Sequence, residues 1–452
     1  MFTTVLIANR GEIALRVLRT CREMGVRTVV AHSTVDRDSP AVHQADESVQ
    51  IGPASPRHSY LNPAAIIAAA QQTGADAIHP GYGFLSESPE FAEICHAHGI
   101  TLIGPPAGVI ARLGDKVAAR AFAAEAHLPL LPGSPGPAES VSEAARTADA
   151  VGYPVVLKAS AGGGGRAMTV VHDPGDLARA YATTRQEATA LFGDPRVYVE
   201  KYLDAARHVE VQILADAHGE VVHLGARDCS VQRRRQKLIE ETPPPGLPAA
   251  TIEHLGELSV RAARAAGYVG AGTFEYVLDE HGACHFIEVN CRLQVEHPIT
   301  EMVTGVDLVR EQLLAAAGQR LSLRQEDLTG AGVAIECRVN AEDPARGFLP
   351  TPGLIEGFVP PGGPFTRVDT HAAAGTRITA DYDPLLAKVS VWAPTRAQAL
   401  ARADRALGEF AVRGPGVRTN VAFLREVLTH PLFRYAKHTT SLVEQMMATP
   451  LD

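Results

Sequence analysis

The most informative pattern in this chain is the alternation of apolar and polar residues from Ile287 to Glu296. Successive side chains of a strand point to opposite faces, so a strict period of two predicts extended chain. The side chains predicted to pack inward are Ile287, Val289, Cys291, Leu293 and Val295. The other face then carries Glu288, Asn290, Arg292, Gln294 and Glu296. A structural strand does not need so many polar groups, so this face is a candidate site.

A second strand-like run, residues 272–280, comes just before, and only His281–Gly282 separates it from residue 283 onward. This spacing predicts a β-hairpin in which Glu275 lies opposite Glu288 and Thr273 lies opposite Asn290. Carboxylates about 4 Å apart repel by about 4 kcal/mol at an effective dielectric near 20, so we expect a cation between them. Carboxylate and amide oxygens suit Mg²⁺ or Mn²⁺ shared with substrate phosphates. The alternative is a hairpin whose two glutamates merely face solvent.

Three regions follow one another along the chain. Residues 4–104 alternate strand-like and helical runs, which predicts a doubly wound parallel sheet. A Pro/Gly-rich connector over 128–137 leads to an α+β pattern of strand, glycine loop, strand, helix and long strands through 296. After a helix near 305–317, residues 330–445 combine strand-like runs with helices at 395–406 and 419–428. The predicted fold class is therefore α/β and α+β.

Two segments suit a nucleotide. The apolar run 154–157 leads to Lys158 and then to four consecutive glycines, Gly162 to Gly165. Glycine lets backbone amides approach phosphate closely and Lys158 adds a mobile charge, although glycine clusters also serve as plain turns. No Gly-Lys-Ser/Thr closes the loop, so it is not a Walker loop. The run 197–203 is a strand suited to holding a flat ring.

A basic run needs a local explanation in an acidic protein. Four cations lie within residues 233–237 of a chain whose net charge is −9. They repel one another unless anions bind, and the alternative is a solvated surface. The negative net charge argues against nucleic acid as the main partner.

Length and composition set outer bounds. A chain of 452 residues is expected to form two to four domains. No run approaches the roughly 20 apolar residues of a membrane span, and the N-terminal apolar segment is too short for a signal peptide. We therefore expect a cytoplasmic protein that does not bind membranes. The six cysteines include no Cys-x-x-Cys pair, so neither a zinc site nor a disulfide framework is indicated.

Taken in order, these segments resemble the biotin carboxylase family of ATP-grasp enzymes. The resemblance covers nearly the whole chain and is carried by residues 7–14, 79–87, 114–117, the glycine loop, 200–203, 207–210, 228–234, 286–298 and 336–343. It implies an N-terminal doubly wound domain over 1–113, an ATP-grasp domain over 114–320 and a C-terminal mixed α+β domain over 330–447 packed on the first. Within the ATP-grasp domain, a mobile lid is expected at about 131–203.

The resemblance implies an enzyme that phosphorylates bicarbonate to carboxyphosphate with ATP, with two Mg²⁺ or Mn²⁺ ions expected, and then carboxylates N1′ of biotin. On the family's pattern the phosphates are held by Lys116, Lys158, Gly162, Gly163, Gly164 and Gly165. Glu200, Lys201 and Leu203 border adenine, and His208 and Gln232 contact ribose. Met168 and Arg235 complete the ATP site. The metal ligands are Glu275, Glu288 and Asn290.

The same pattern assigns bicarbonate to Lys237, Arg292, Gln294, the backbone of Val295, and Glu296. Glu296 matches the general base, and Arg338 matches the cation that stabilises the biotin enolate. Tyr82 and Gly83 join Arg338 at biotin, and the catalytic set is Lys237, Arg292, Glu296 and Arg338. The alternative for Arg338 is a salt bridge with Glu336 or Asp343.

Three positions depart from the pattern of bacterial members. Arg235 stands where His or Asn is common, which puts one nucleotide contact in doubt. Ala167 stands where Gly is common, which is expected to stiffen the phosphate lid. Cys291 replaces a usual Thr on the inward face, where we expect no harm.

The sequence has no Met-Lys-Met acceptor motif, so the biotin carboxyl carrier protein and the carboxyltransferase are expected on separate chains. Family members are often homodimers. The implied activity is the first half-reaction of an acetyl-CoA or acyl-CoA carboxylase. Two alternatives stay open: another ATP-grasp ligase that activates a carboxylate, and a catalytically silent nucleotide-binding scaffold of a carboxylase complex.

Overall fold

A computed structural model of the chain describes residues 1–161 and 167–448. The predicted phosphate contacts Gly162, Gly163, Gly164 and Gly165 lie outside the described residues. Within the described part of the chain, no helix is long and apolar enough to cross a membrane.

The N-terminal region has the predicted doubly wound parallel sheet, with strands in the order β3-β2-β1-β4-β5. Its elements are β1 Thr4–Ile7, α1 Gly11–Glu23, β2 Arg27–Ser33, α2 Pro40–Gln44, β3 Glu47–Gly52, α3 Pro63–Thr73, β4 Ala77–His79, α4 Pro89–Ala97 and β5 Thr101–Leu102. Every residue of β1 is buried, as expected for a central parallel strand covered by helices on both faces. Helix α3 shows how local sequence sets the bounds: Asn62 caps its start, Pro63 follows, and Gly74 ends it in the left-handed conformation.

The central region has the predicted α+β character. Its elements are α5 Ala107–Gly114, α6 Lys116–Glu125, α7 Val141–Val151, β6 Val155–Ala159, β7 Met168–Val171, α8 Leu177–Phe192, β8 Val197–Lys201, β9 Arg207–Ala215, β10 Val221–Arg233, β11 Gln236–Thr242, α9 Ala249–Ala266, β12 Gly270–Leu278, β13 Cys284–Asn290, α10 His297–Thr304 and α11 Leu308–Ala316. Strands β6, β7 and β8 form a small antiparallel sheet. That sheet shares an apolar core with α7 and α8, so most of the predicted lid is a compact unit. Its mobility stays a prediction.

The C-terminal region continues the central sheet. Its elements are β14 Val333–Asn340, β15 Glu342–Asp343, β16 Leu349–Pro350, β17 Gly353–Leu354, β18 Gly357–Val359, β19 Thr366–Thr370, β20 Arg377–Ile378, β21 Leu385–Ala393, α12 Arg396–Glu409, β22 Ala411–Arg413, α13 Val421–Thr429, α14 Pro431–Arg434 and α15 Leu442–Ala448. Because β14 pairs with β11, one sheet runs in the order β13-β12-β9-β10-β11-β14-β21-β19. The sequence did not predict this continuous sheet between the second and third regions.

The β12–β13 hairpin confirms the predicted pairs and corrects the predicted loop. Glu275 lies opposite Glu288, and Thr273 lies opposite Asn290. The loop, however, is residues 279–283 rather than two residues, because the Asp279 carboxylate accepts the backbone amides of residues 281 and 283 at 2.9 Å. A β-bulge between Glu275 and Tyr276 in the register then restores the predicted pairing.

The predicted extended chain over 286–296 is only half right. Strand β13 ends at Asn290, and residues 291–296 leave the sheet before α10 begins. Val289, Cys291 and Leu293 are buried as predicted, whereas Ile287 and Val295 are only partly buried. Ile287 lies at the bulge and Val295 lies beyond the strand, so the regular alternation of faces does not apply to either.

Candidate active site

The centre of the site is Lys237, whose ammonium group contacts three carboxylates. Its Nζ lies 2.5 Å from Glu210 Oε2, 2.6 Å from Glu296 Oε1 and 3.2 Å from Glu275 Oε1. Glu210, Lys237 and Glu275 lie on β9, β11 and β12 respectively, and Glu296 lies in the segment after β13. Burial alone would lower the pKa of Lys237, but the carboxylates outweigh it and hold that pKa well above the ordinary value. Lys237 is therefore a fixed cation.

Glu296 is the carboxylate on which the cations converge. Its side chain is fully buried, and its Oε2 accepts a bond from Arg338 Nη2 at 2.8 Å. Burial and neighbouring Glu210 act to raise the pKa of Glu296, but Lys237, Arg338 and Arg227 lower it below the ordinary value. The predicted general base is thus ionised at neutral pH.

Arg338 contacts a second carboxylate as well. Its Nε donates to Glu240 Oε1 at 2.6 Å, on the strand next to its own. The alternative salt bridge with Glu336 or Asp343 is wrong, since neither makes an ion pair with Arg338 among the described residues. Burial acts to lower the pKa of Arg338, but Glu240 and Glu296 raise it by more, so the pKa lies above the ordinary value. Arg338 is therefore a permanent charge beside the base.

The other predicted bicarbonate residues adjoin this cluster. Arg292 donates to Gln294 Oε1 and to Asn290 Oδ1, each at 3.0 Å. Gln294 Nε2 in turn donates to Thr273 Oγ1 at 2.9 Å and to Glu275 Oε1 at 3.2 Å. The structure thus brings together Lys237, Arg292, Gln294, Val295 and Glu296, although only half of their segment is a strand.

The predicted metal ligands also share one place. Glu275 Oε1 is 2.6 Å from the amide nitrogen of Asn290, and Glu288 faces Glu275 across the hairpin. Lys116 Nζ lies 3.8 Å from Glu288 Oε2, which brings a phosphate-binding candidate to the same face. Two opposed carboxylates and an amide are hard oxygen donors, so the donor set fits Mg²⁺ or Mn²⁺. Two other clusters, Glu210 with His208 and Glu275 and Glu210 with Cys229 and Glu296, share Glu210, whose two oxygens are already paired with Arg227 and Lys237, so we assign the metal to the hairpin.

The nucleotide candidates lie on the small sheet and the strands facing it. Lys158 contacts the carboxylate of Glu200, which also accepts from Arg120 Nη1 at 2.8 Å. Met168 pairs with Lys158 in the β6–β7 register. Lys201 directs its ammonium to the carbonyls of residues 152 and 153, at 2.9 and 3.0 Å, and Leu203 is partly buried just beyond. Glu200, Lys158 and Met168 are therefore close neighbours, as an ATP site requires.

His208 and Gln232 occupy different surroundings. His208 Nε2 lies 2.8 Å from Glu275 Oε2, and Gln232 pairs with Lys237 near the end of β10. Burial lowers the pKa of His208, but Glu275 outweighs it and raises that pKa above the ordinary value. The described contacts tie His208 to the metal-ligand candidate, and its contact with ribose stays a prediction.

The basic run 233–237 is divided between two surroundings. It forms the β10–β11 hairpin, whose turn residues Arg234 and Arg235 have φ of 47° and 67°. Arg233 bonds the carbonyl of residue 347 at 2.6 Å and stacks on Phe348, whereas Lys237 points into the buried cluster. Lys237 and Arg233 thus point to different surroundings, so the run is not one anion-binding patch.

Two of the three sequence departures have visible consequences. Ala167 adopts φ of 49°, a left-handed conformation that its Cβ disfavours, and its carbonyl accepts the amide of residue 159 at 3.0 Å. Cys291 is buried, as predicted, and its amide donates to Glu87 Oε1 at 3.0 Å. The role of Arg235 stays a prediction.

The biotin candidates lie on the loop after β4. The Tyr82 hydroxyl donates to Glu12 Oε1, and Gly83 adopts a left-handed φ of 68° in the same loop. Burial and Glu12 raise the pKa of Tyr82 well above the ordinary value, and the nearby charge of Arg338 opposes them. The contact of these candidates with biotin stays a prediction.

Several residues of the network were not singled out by sequence reasoning. Glu87 accepts from Arg292 Nε at 2.8 Å, and Arg227 donates from Nε to Glu210 at 2.6 Å. Glu87 and Glu210 belong to segments that carried the family resemblance, so the signal was present. Lys388 lies on a buried strand among apolar neighbours, and nothing in its local sequence indicated a role, whereas Arg227 directly precedes the segment 228–234 that carried the resemblance.

The fold and the arrangement of carboxylates and cations define an ATP-grasp enzyme. Residues 115–324 match the family model of the carbamoyl-phosphate synthase L chain, ATP binding domain. Residues 1–110 match the biotin carboxylase N-terminal domain, and residues 336–445 match the biotin carboxylase C-terminal domain. The chain belongs to the biotin carboxylase family.

Full-length relatives agree with this assignment. The chain is 48% identical over 445 residues to biotin carboxylase 1 of Bacillus subtilis, covering 98% of each. It is 51% identical over 434 residues to the biotin carboxylase of Pseudomonas aeruginosa, covering 96% of each. A crystal structure of the biotin carboxylase domain dimer of Hydrogenobacter thermophilus 2-oxoglutarate carboxylase, in complex with MgADP, ADP and bicarbonate, has a TM-score of 0.96 and 44% identity, with 100% of both chains covered.

Proposed function

We propose that this chain carboxylates biotin on a carrier protein, using bicarbonate and ATP, through carboxyphosphate. The observation that carries the proposal is the buried contact of Lys237 and Arg338 with opposite oxygens of Glu296, at 2.6 and 2.8 Å. A carboxylate held between two cations and facing a metal-binding hairpin has the groups needed to deprotonate and orient a small anion.

Glu296 and the neighbouring cations have different roles in the first half-reaction. Glu296 takes the proton of bicarbonate as a bicarbonate oxygen attacks the terminal phosphorus of ATP, whose bond to the bridging oxygen breaks to release ADP and form carboxyphosphate. Because the pKa of Glu296 lies below the ordinary value, it is a weak base, and the cations must stabilise the charge that develops on bicarbonate. Lys237 and Arg292 supply the positive charge that stabilises it. The Glu87 carboxylate fixes Arg292 by accepting a hydrogen bond from its Nε.

The hairpin and the small sheet hold the nucleotide. Glu275, Glu288 and Asn290 would hold the divalent metal, which supplies positive charge to the transferring phosphates. Lys116 lies beside Glu288, and Lys158 lies on β6 next to the glycine loop, so both point charges lie where phosphates are expected. Glu200, Lys201 and Leu203 would border adenine.

The second half-reaction would use Arg338 together with Tyr82 and Gly83. Arg338 presents a planar fork to the ureido oxygen of biotin, where negative charge develops as N1′ gives up its proton and attacks the carboxyl carbon of carboxyphosphate. The bond from that carbon to the phosphate oxygen breaks, and the departing phosphate takes the N1′ proton. Its two carboxylate partners fix the guanidinium in place.

We further propose that the activity is the first half-reaction of an acetyl-CoA or acyl-CoA carboxylase, with the carrier and the carboxyltransferase on separate chains. The homodimer is also a proposal, supported by the dimer of the Hydrogenobacter domain. The domain limits 1–113, 114–320 and 330–447, and the lid at 131–203, remain proposals. The family matches begin and end close to those limits.

The test is to incubate the purified chain with free biotin, bicarbonate and MgATP and to measure ADP and carboxybiotin. We expect both products, and both should disappear when bicarbonate is omitted. If no carboxybiotin forms, and ADP forms only when a different carboxylate and an amine are added, the result would favour another ATP-grasp ligase. Nucleotide binding without ADP formation would favour a silent scaffold.

A further inference from the structure

A fully buried ion pair outside the predicted site lies between its two halves. Lys388, on β21, has no exposed side-chain surface, and its Nζ is 3.0 Å from Glu12 Oε1, on α1. The pair joins the C-terminal region to the N-terminal region. Lys and Glu are almost never fully buried unless they are paired, so each of these two charges depends on the other for its burial.

Each member of the pair also holds one substrate-binding group. Lys388 Nζ donates to the carbonyl of Val295 at 2.9 Å, in the segment assigned to bicarbonate. Glu12 Oε1 accepts from the hydroxyl of Tyr82, which is assigned to biotin. A continuous chain of contacts therefore runs from Tyr82 through Glu12 and Lys388 to Val295.

The Val295 carbonyl is a sensitive point of attachment. Residues 291–296 have left the sheet, so no strand ladder fixes their peptide groups. The carbonyl held by Lys388 belongs to the peptide that joins Val295 to Glu296, the proposed base. A hydrogen bond at this carbonyl therefore fixes the direction in which Glu296 leaves the backbone.

The sheet register places Lys388 on the face of the site. In the β14–β21 ladder Lys388 lies directly opposite Arg338, and in the β19–β21 ladder it lies opposite Asp369. Two cations directly opposed on one face are unfavourable, and a buried ion pair is often no more stabilising than apolar residues of similar volume. Stability alone therefore does not explain Lys388.

We propose that Lys388 and Glu12 are positioning residues that set the Val295–Glu296 peptide and the Tyr82 hydroxyl for the two half-reactions. The proposal rests on the proposed function, because it takes bicarbonate to bind at Val295 and biotin to bind at Tyr82. Neither residue contacts substrate; both act through the groups that they hold.

The test separates positioning from stability with three variants. Lys388→Met removes the cation and leaves Glu12 buried without it, so the chain should lose stability. The double variant Glu12→Gln with Lys388→Met removes both charges and should recover most of that stability. Arg396→Met is the matched control, because it breaks the pair with buried Glu241 at 2.7 Å, and the contacts found for this pair in the described part of the chain include neither Val295 nor Tyr82.

Steady-state kinetics give the decisive readout. We expect the KM for bicarbonate to rise about tenfold to a hundredfold in both Lys388 variants, as for a lost hydrogen bond to a charged group, with the KM for MgATP within about twofold. The KM for biotin should also rise in the double variant. Arg396→Met should lose stability with unchanged KM values. A double variant that recovers stability and has wild-type KM values would overturn the proposal.

Failure of the proposed function is distinguishable from failure of this inference. If the wild-type chain makes no carboxybiotin, the proposed function fails and the pair is tested by amide hydrogen exchange in the double variant. Faster exchange over residues 291–296 than in wild type would support the positioning role. Unchanged exchange would overturn it.

Discussion

The two glutamates of the β12–β13 hairpin differ in their surroundings, and this difference gives the sharpest test of the metal assignment. The side chain of Glu288 is 29% exposed, and its ion-pair partner among the described residues is Lys116, at 3.8 Å. The side chain of Glu275 is 4% exposed and contacts His208, Lys237, Asn290 and Gln294. Glu288→Gln removes one charge and keeps the side-chain volume.

The structure sets the expected magnitudes. A partly exposed ion pair contributes about 0–1 kcal/mol, and Glu288→Gln also removes the repulsion from Glu275. The free energy of unfolding of Glu288→Gln should therefore stay within about 1 kcal/mol of wild type. Glu275→Gln breaks buried pairs, which costs about 3–5 kcal/mol when a charge is left without a partner. Lys237 keeps Glu210 and Glu296, so we expect the lower end of that range.

The assay combines urea unfolding with biotin-dependent ADP formation across a Mg²⁺ titration. Loss of a charge that stabilises the transferring phosphates should lower the rate of Glu288→Gln at least about a hundredfold, or about 2.7 kcal/mol of barrier. Glu275→Gln should lose both activity and stability. Wild-type rates for Glu288→Gln at every Mg²⁺ concentration would refute the metal assignment. A loss of more than about 2 kcal/mol in its stability would refute the structural reasoning.

Three further outcomes are expected. Arg338→Gln should lower carboxybiotin formation by about a hundredfold or more but should not lower ADP formation without biotin, because Glu296 loses one of the cations that lower its pKa; a parallel loss of both activities would contradict this. Burial and the neighbouring Glu240 raise the pKa of Glu336 from 4.5 to about 8, although Lys388 opposes them. The stability that depends on neutral Glu336 is therefore fully present below pH 4.5 and is lost as the pH rises through about 8. Glu336→Gln should therefore gain stability relative to wild type by up to about 1.4 kcal/mol per pH unit between about pH 5 and 8 in urea unfolding, and a pH-independent difference would contradict this. Ala167→Gly relieves a φ of 49° and should raise the free energy of unfolding by roughly 0.5–1 kcal/mol, whereas a loss would show that the Cβ is well accommodated.

The hairpin shows how a site can be predicted from a partly wrong structure. The facing of Glu275 and Glu288 was deduced from a two-residue loop, whereas the real loop has five residues and a bulge compensates for the shift. The period of two identified which side chains share a face, because residues an even number of positions apart along a strand point to the same side of the sheet. It could not identify the loop, since the Asp279 carboxylate stabilises a conformation that hydrophobic periodicity does not report.

Long-range charge pairs were beyond the reach of local patterns. Lys388 lies between apolar residues of β21, which by itself predicts an ordinary core strand, and its partner Glu12 comes from α1. Glu240 and Arg338 likewise come from different regions of the chain. These two ion pairs exist only because the regions dock, with β14 continuing the sheet at β11.

The position of Arg338 changes how the two half-reactions should be divided. From the sequence, Arg338 lies on a separate C-terminal strand and could serve biotin alone. In the fold, β14 pairs with β11, and the guanidinium contacts Glu296 at 2.8 Å while Lys237 contacts the other oxygen of the same carboxylate. The proposed base is therefore electrostatically coupled to the proposed biotin-binding cation. When biotin binds Arg338, the guanidinium stabilises the ionised form of Glu296 less. The pKa of Glu296 then rises, so Glu296 becomes a stronger base. This coupling predicts that biotin accelerates ATP hydrolysis by this chain, and that in Arg338→Gln the acceleration is lost.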